Sequence, residues 1–156
     1  MYPPPASDPV TPLDTHLGTW LRFVSNHASH ALGLALAPHD VTAAEWVLLR
    51  TLHDRDGAAP SEVADRLGMT RGAISKLAER LIGKGLVLRG PGGRDRRTQN
   101  LWLTEQGRSL VPVLSALADR NEAAFFGHLD PAERQAIEAA MRDIVRRLGL
   151  RAVPAG

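Results

Sequence analysis

Between Thr70 and Arg97 the chain concentrates side chains that bind polyanions. The run Thr70-Arg71-Gly72-Ala73-Ile74-Ser75-Lys76-Leu77-Ala78-Glu79-Arg80-Leu81 interleaves Arg71, Lys76 and Arg80 with small residues. Arg and Lys donate to guanine O6 and N7, a serine hydroxyl serves several bases, and an alanine methyl fits against a thymine methyl. A helix turns by about 100° per residue. With Ile74 at the centre of the inner face, Leu77, Ala78 and Leu81 fall beside it. Gly72, Lys76 and Gly83 fall opposite, flanked by Ala73, Ser75 and Arg80. The outer face is then small and cationic, a shape that lets a helix sit deep in a DNA groove. Thr70 caps the helix with its hydroxyl, and the free N–H groups of its first turn favour phosphate.

A second cluster follows. Arg94, Arg96 and Arg97 surround one acid, Asp95. Arginine enters narrow minor grooves, where the negative potential is enhanced. Asp95 is expected to hold one of these arginines in a bidentate pair rather than to face DNA. From Thr70 to Asn100 there are 8 basic and 2 acidic residues, a local charge of +6 within a chain whose total is +2. A basic patch on an otherwise acidic body points to a local polyanion contact.

These clusters need a scaffold. Pro60 suits the first turn of a helix whose inner face is Val63, Ala64 and Leu67. Gly68 supplies the turn to the basic helix. Leu86–Arg89 and Gln99–Leu103 read as short strands joined by the loop Gly90-Pro91-Gly92-Gly93-Arg94-Asp95-Arg96-Arg97. Helix, turn, helix and basic hairpin in that order make a winged helix-turn-helix over residues 42–104. Upstream, residues 1–12 hold five prolines and read as a disordered tail. Residues 13–37 read as an amphipathic helix with apolar residues at Leu13, Leu17, Trp20, Leu21, Val24, Ala28, Ala31 and Leu32, ended by Pro38. Thr42 and Glu45 form a capping box for a helix to about Asp54 that buries Trp46, Leu48 or Leu49, and Leu52. Thr104 caps a helix to about Gly127, which Pro112 should kink or shorten. Asp130-Pro131-Ala132-Glu133 opens a last helix that buries Ile137, Met141, Ile144, Val145 and Leu148. The fold class is mainly α with a small β-hairpin wing, flanked by terminal helices. The two long amphipathic regions, 13–37 and 105–149, lack a large domain to cover them, so a second copy of the chain is the natural cover.

Other chemistry is scarce. The chain has no Cys, which excludes disulfides and thiolate metal sites. No Gly-Lys-Ser/Thr phosphate loop, zinc-protease His-Glu pair or nucleophile-elbow serine is present, so neither an enzyme nor a cofactor is expected. No apolar run reaches about 18 residues, and no secretory leader is visible; a cytoplasmic protein without membrane contact is the expectation. His27 and His30 stand at i, i+3, a spacing that brings two imidazoles to one ion. No acid or Cys completes the set, and no metal site is assigned.

The chain resembles the MarR-type transcriptional regulators over roughly residues 13–149. The resemblance rests on Ser61-Glu62-Val63-Ala64-x-x-Leu67-Gly68, on Thr70–Leu81, and on Lys84-Gly85-Leu86-Val87. It continues in Asp95-Arg96-Arg97 followed by Leu103-Thr104-x-x-Gly107. The glycine-rich Gly90-Pro91-Gly92-Gly93 departs from the family's more acidic wing and leaves its rest position open. The resemblance implies a homodimer with interlocked terminal helices that binds an inverted repeat, represses promoters and is released by a small aromatic or anionic effector. In that family the effector pocket lies between the dimerisation helices and the winged helix. Trp20, His27, His30, Trp46 and Arg50 are the candidates to line it, although Trp46 as core and Arg50 as surface is the stronger reading. Two alternatives stand beside the repressor: a winged-helix module that binds protein, and a metal-responsive regulator.

Overall fold

A computed structural model describes residues 9–92 and 95–151. Its elements are α1 (Leu17–Leu36), α2 (Ala43–Asp54), α3 (Pro60–Leu67), α4 (Arg71–Gly83), β1 (Val87–Gly92), β2 (Asp95–Leu103), α5 (Glu105–Phe126) and α6 (Pro131–Leu148). A 3-10 turn at Leu13–Thr15 precedes α1, and another at Ala37–His39 follows it. The 13–37 segment is therefore not one helix. Its regular part starts four residues late, after the extended residue His16, and stops before Pro38.

The helix starts follow their capping chemistry. Thr42 Oγ1 accepts from the Glu45 N–H at 3.1 Å while Glu45 Oε1 accepts from the Thr42 N–H at 2.9 Å. Asp130 and Glu133 repeat that box at α6, with Pro131 in the first turn. Thr70 and Thr104 cap α4 and α5 through the N–H groups of Ala73 and Gly107. Between α3 and α4, Gly68 takes φ 62°, a left-handed value that glycine adopts without the clash a Cβ would bring. α5 runs unbroken through Pro112, so that proline does not mark its start.

One core joins α2, α3, α4, the hairpin and the first half of α5. Leu48, Leu49, Leu52, Val63, Ile74, Leu81, Leu101 and Leu114 have no solvent exposure, and Trp46 is buried with them. The hairpin is antiparallel, with Val87 opposite Leu103 and Gly90 opposite Asn100. It extends further than the sequence predicts. β1 continues through Pro91 to Gly92 and β2 begins at Asp95, so most of the expected loop is strand. A single bridge from Ala58 to Leu101 ties the α2–α3 connector to β2.

The apolar stripe of α6 is not covered within one chain. Ile137, Met141, Ile144, Val145 and Leu148 are expected to be buried, yet each is 43–69% exposed in the single chain. On α1, Leu17, Trp20, Leu21, Phe23 and Val24 are exposed as well, and only Leu36 is buried. α6 lies beyond the core, and none of these stripe residues is buried by the described residues.

Candidate nucleic-acid interface

α4 presents two faces. Ile74, Leu77, Ala78 and Leu81 are buried against α2, α3 and the hairpin base, while Arg71, Gly72, Ser75, Lys76 and Arg80 are exposed. Ala73 is half-buried between the faces. The division follows the helical period of the sequence. Thr70 caps the helix start, its Oγ1 accepting from the Ala73 N–H at 3.1 Å, which leaves its O–H free to donate. A Cβ placed on Gly72 would meet nothing within 4 Å. Packing inside the chain gives no reason for a glycine there, and its bare backbone faces outward beside Arg71 and Lys76.

The charges divide unevenly. Among the described residues, Arg71, Lys76 and Arg80 carry no ion pair, whereas Arg89 Nη2 meets Glu79 Oε1 at 2.8 Å. Lys84 points inward. Its Nζ lies 3.0 Å from Glu45 Oε1 and 2.6 Å from the Asp40 carbonyl oxygen. Glu45 has no solvent exposure. Burial pushes its carboxyl up, but the Thr42 backbone N–H and the Lys84 ammonium outweigh that and hold it below the ordinary 4.5. Lys84 thus belongs to the fold's interior wiring and not to the basic surface. Sequence patterning counts it with the DNA-facing charges because a partner 39 positions away leaves no local trace.

Arg94 and the side chains of Asp95, Arg96 and Arg97 lie outside the described residues. Their backbone is placed only from Asp95 onward, in β2. The hairpin base that carries them is well tied. Gly57 N–H donates to Leu101 O at 3.0 Å and Leu101 N–H to Ala58 O at 2.9 Å. Asn100 Nδ2 donates to Gly57 O at 2.6 Å. Asn100 and Trp102, which motif reading passes over, make the side-chain part of that tie.

The five candidate effector residues do not converge in one chain. Trp46 is core. Arg50 is exposed and pairs with Asp54 at 2.7 Å. Trp20 is exposed and donates its indole N–H to the Asp14 carbonyl at 2.8 Å, and His27 packs against Phe23 at a tilt of 48°, with ring centroids 4.5 Å apart. His30 borders an open groove, of about 530 Å³, between α1 and the α1–α2 turn; Asp40, Thr42 and Lys84 line it too. No group of three or more His, Cys, Asp or Glu capable of holding a metal occurs among the described residues. No helix among them is long and apolar enough to cross a membrane.

Comparison with known proteins places this arrangement. A family model described as "MarR family" matches residues 39–98, from the α1–α2 turn into the wing. The chain is 31% identical over 105 residues to the transcriptional regulator TtmR of Methylorubrum extorquens, across 65% of this chain and 54% of that protein. It is 30% identical over 94 residues to the multiple antibiotic resistance protein MarR of Escherichia coli, across 60% of this chain and 65% of that one. The chain thus spans less than two thirds of the length of either relative. Among solved structures, BpsR of Bordetella bronchiseptica superposes with TM-score 0.79 at 26% identity, covering 87% of this chain and 97% of that one. A mutant E. coli MarR complexed with operator DNA superposes with TM-score 0.76 at 25% identity, over 83% and 93%. Over residues 39–98 the chain is thus similar to the MarR family, and the first of these relatives is named as a transcriptional regulator.

Proposed function

We propose that this protein is a dimeric repressor that reads an inverted-repeat operator and releases it when a small ligand binds. The observation that carries the DNA reading is α4 itself. Its exposed face holds three cations and a glycine with open space beyond it, on a helix whose other face is locked into the core. Arg71 and Lys76 read base edges, Arg80 holds phosphate, and the first-turn N–H groups add an anion site. The wing arginines Arg94, Arg96 and Arg97 follow the adjacent backbone or minor groove, with Asp95 as their holder.

The exposed stripes of α1 and α6 support the dimer. Residues 13–37 and 105–149 are the dimerisation part of this division and 42–104 the DNA-binding part. A two-fold dimer places its reading helices about one DNA turn apart. The partner relation is with a second copy and with duplex DNA, in the cytoplasm where operators are found.

For the effector, the groove beside Lys84 is the site we favour within one chain. The BpsR structure is described in terms of regulation of DNA binding by 6-hydroxynicotinic acid, and that of CouR from Rhodococcus jostii as bound to p-coumaroyl-CoA. An aromatic anion in this groove would compete with Glu45 and Asp40 for Lys84, at the C-terminal end of the reading helix. Such a ligand shifts the dimer only by its difference in affinity between the two shapes.

The test is a titration of duplex DNA at several salt concentrations, with sedimentation run in parallel. A dimer whose affinity falls steeply with salt is expected, because each neutralised phosphate releases counterions. Salt-insensitive or absent DNA binding would move the function to the protein-interaction alternative. Loss of binding on chelation would move it to the metal-responsive one.

A further inference from the structure

At the base of the wing two glycines, Gly57 and Gly92, have no room for a side chain, and a third, Gly90, has little. A Cβ on Gly57 would lie 2.5 Å from Cη2 and Cζ2 of Trp102, at a backbone φ of 76°. A Cβ on Gly90 would lie 3.1 Å from Cδ1 and Nε1 of the same indole. A Cβ on Gly92 would lie 2.6 Å from the carboxamide of Asn100. Asn100 and Trp102 are two apart on β2 and share one face of the hairpin. The indole therefore reaches across from Gly90 on β1 to Gly57 in the α2–α3 connector. The carboxamide spans from Gly92 to the Gly57 carbonyl, to which it donates at 2.6 Å.

Glycine inside a strand ordinarily weakens it, and often marks a close approach by another group. An aromatic ring laid over it restores the missing contact. Here the rings and amides occupy the space that Cβ atoms would need. The connector is held from further sides: Asp56 Oδ1 accepts from the Leu103 N–H at 3.2 Å and Asp56 Oδ2 pairs with Arg108. Arg55 pairs with Glu62 of α3 at 2.7 Å. The same five-residue connector leads into α3 and, after the Gly68 turn, into α4.

We propose that Trp102 and Asn100 are positioning residues for DNA binding. They clamp the wing base to Gly57, so the wing arginines meet DNA at an angle set by the segment that also carries the reading helix. The glycine-rich wing of this chain is a cradle for these two side chains rather than a source of looseness. The inference rests on the reading of the wing as a DNA contact.

The experiment compares full-length wild type with Trp102→Phe, Trp102→Ala and Asn100→Ala. The probe is sheared duplex DNA, and the readout is the slope of log affinity against log salt, with hydrogen exchange on the free proteins. Each lost phosphate contact lowers that slope by about one. Trp102→Ala and Asn100→Ala are expected to lower it by about one to three, the range open to the three wing arginines. Trp102→Phe, which keeps a ring over Gly90 but lacks the outer ring atoms that reach Gly57, should restore part of it. The amides of Gly57 and Leu101 should lose protection in the alanine variants while α4 keeps its own. Weaker affinity with an unchanged slope, or unchanged protection at Gly57 and Leu101, would overturn the clamp. If Trp102→Ala does not fold, Asn100→Ala gives the same two readouts and decides. Wild type that binds no duplex DNA would instead sink the DNA reading, and the exchange measurement would still decide the clamp.

Discussion

Gly72 is exposed in the first turn of α4, and nothing in the chain requires its missing side chain. Glycine costs up to about 1 kcal/mol relative to alanine inside a helix, so the fold alone would favour almost any other residue. The proposed DNA reading supplies a reason: a surface that must approach a groove wall. Gly72→Leu is expected to leave the melting temperature unchanged or raised and to weaken operator binding at least about tenfold, or 1.4 kcal/mol. Calorimetry and a DNA titration on the same preparation check both halves. Lys76→Ala should cost about 1–3 kcal/mol and relax the preference at one base position. Equal weakening across all operator variants would give Lys76 a phosphate role instead. The exposed set of α4 was legible from its 3.6-residue period, which the buried stripe of Ile74, Leu77, Ala78 and Leu81 obeys. The inward turn of Lys84 was not, because its partners Glu45 and Asp40 are distant in sequence.

At the scale of elements, two ties hold the reading helix to the body. One is the buried Glu45–Lys84 pair, which joins the start of α2 to the end of α4. The other is the connector that carries the wing. Glu45 is held below its ordinary 4.5, so its contribution to stability is fully present above that value. It is lost as pH falls through the lower folded value, where the carboxyl takes up a proton. Lys84→Met should therefore lower stability at neutral pH by about 1.5–3 kcal/mol, the range for a hydrogen bond to a charged group. The gap to wild type at neutral pH should narrow at an acid pH below the lowered folded value of Glu45, where it loses its charge. Urea unfolding at the two pH values checks this, and a gap independent of pH would contradict the pairing. Cap chemistry made the starts of α2, α4, α5 and α6 readable. The strand lengths were misread for an identifiable reason. Gly90-Pro91-Gly92 carries turn residues, yet it pairs with β2 because Trp102 and Asn100 fill the space those glycines leave.

At the scale of the whole molecule, a single chain ends in apolar surface. Leu17, Trp20 and Leu21 on α1, and Ile144, Val145 and Leu148 on α6, are each 43–69% exposed. Contiguous apolar stripes of this kind mark interfaces. Sequence periodicity identified the stripe on α6 but could not say what covers it, since a repeat shows that a face is apolar and not which molecule buries it; the expectation of a second copy came from the lack of a large domain. Ile144→Asp is expected to convert the dimer to monomer in sedimentation, and to weaken operator binding about a hundredfold or more by removing the second half-site. A dimer that survives this change would place the interface elsewhere. The central claim joins all three scales: two copies of α4 held at a fixed separation by α1, α5 and α6. Selection of random duplex DNA by the purified protein, followed by sequencing of the bound pool, tests it most directly. The account predicts an enriched inverted repeat with half-sites about one helical turn apart. An enriched single half-site, or no enrichment at low salt, would contradict it.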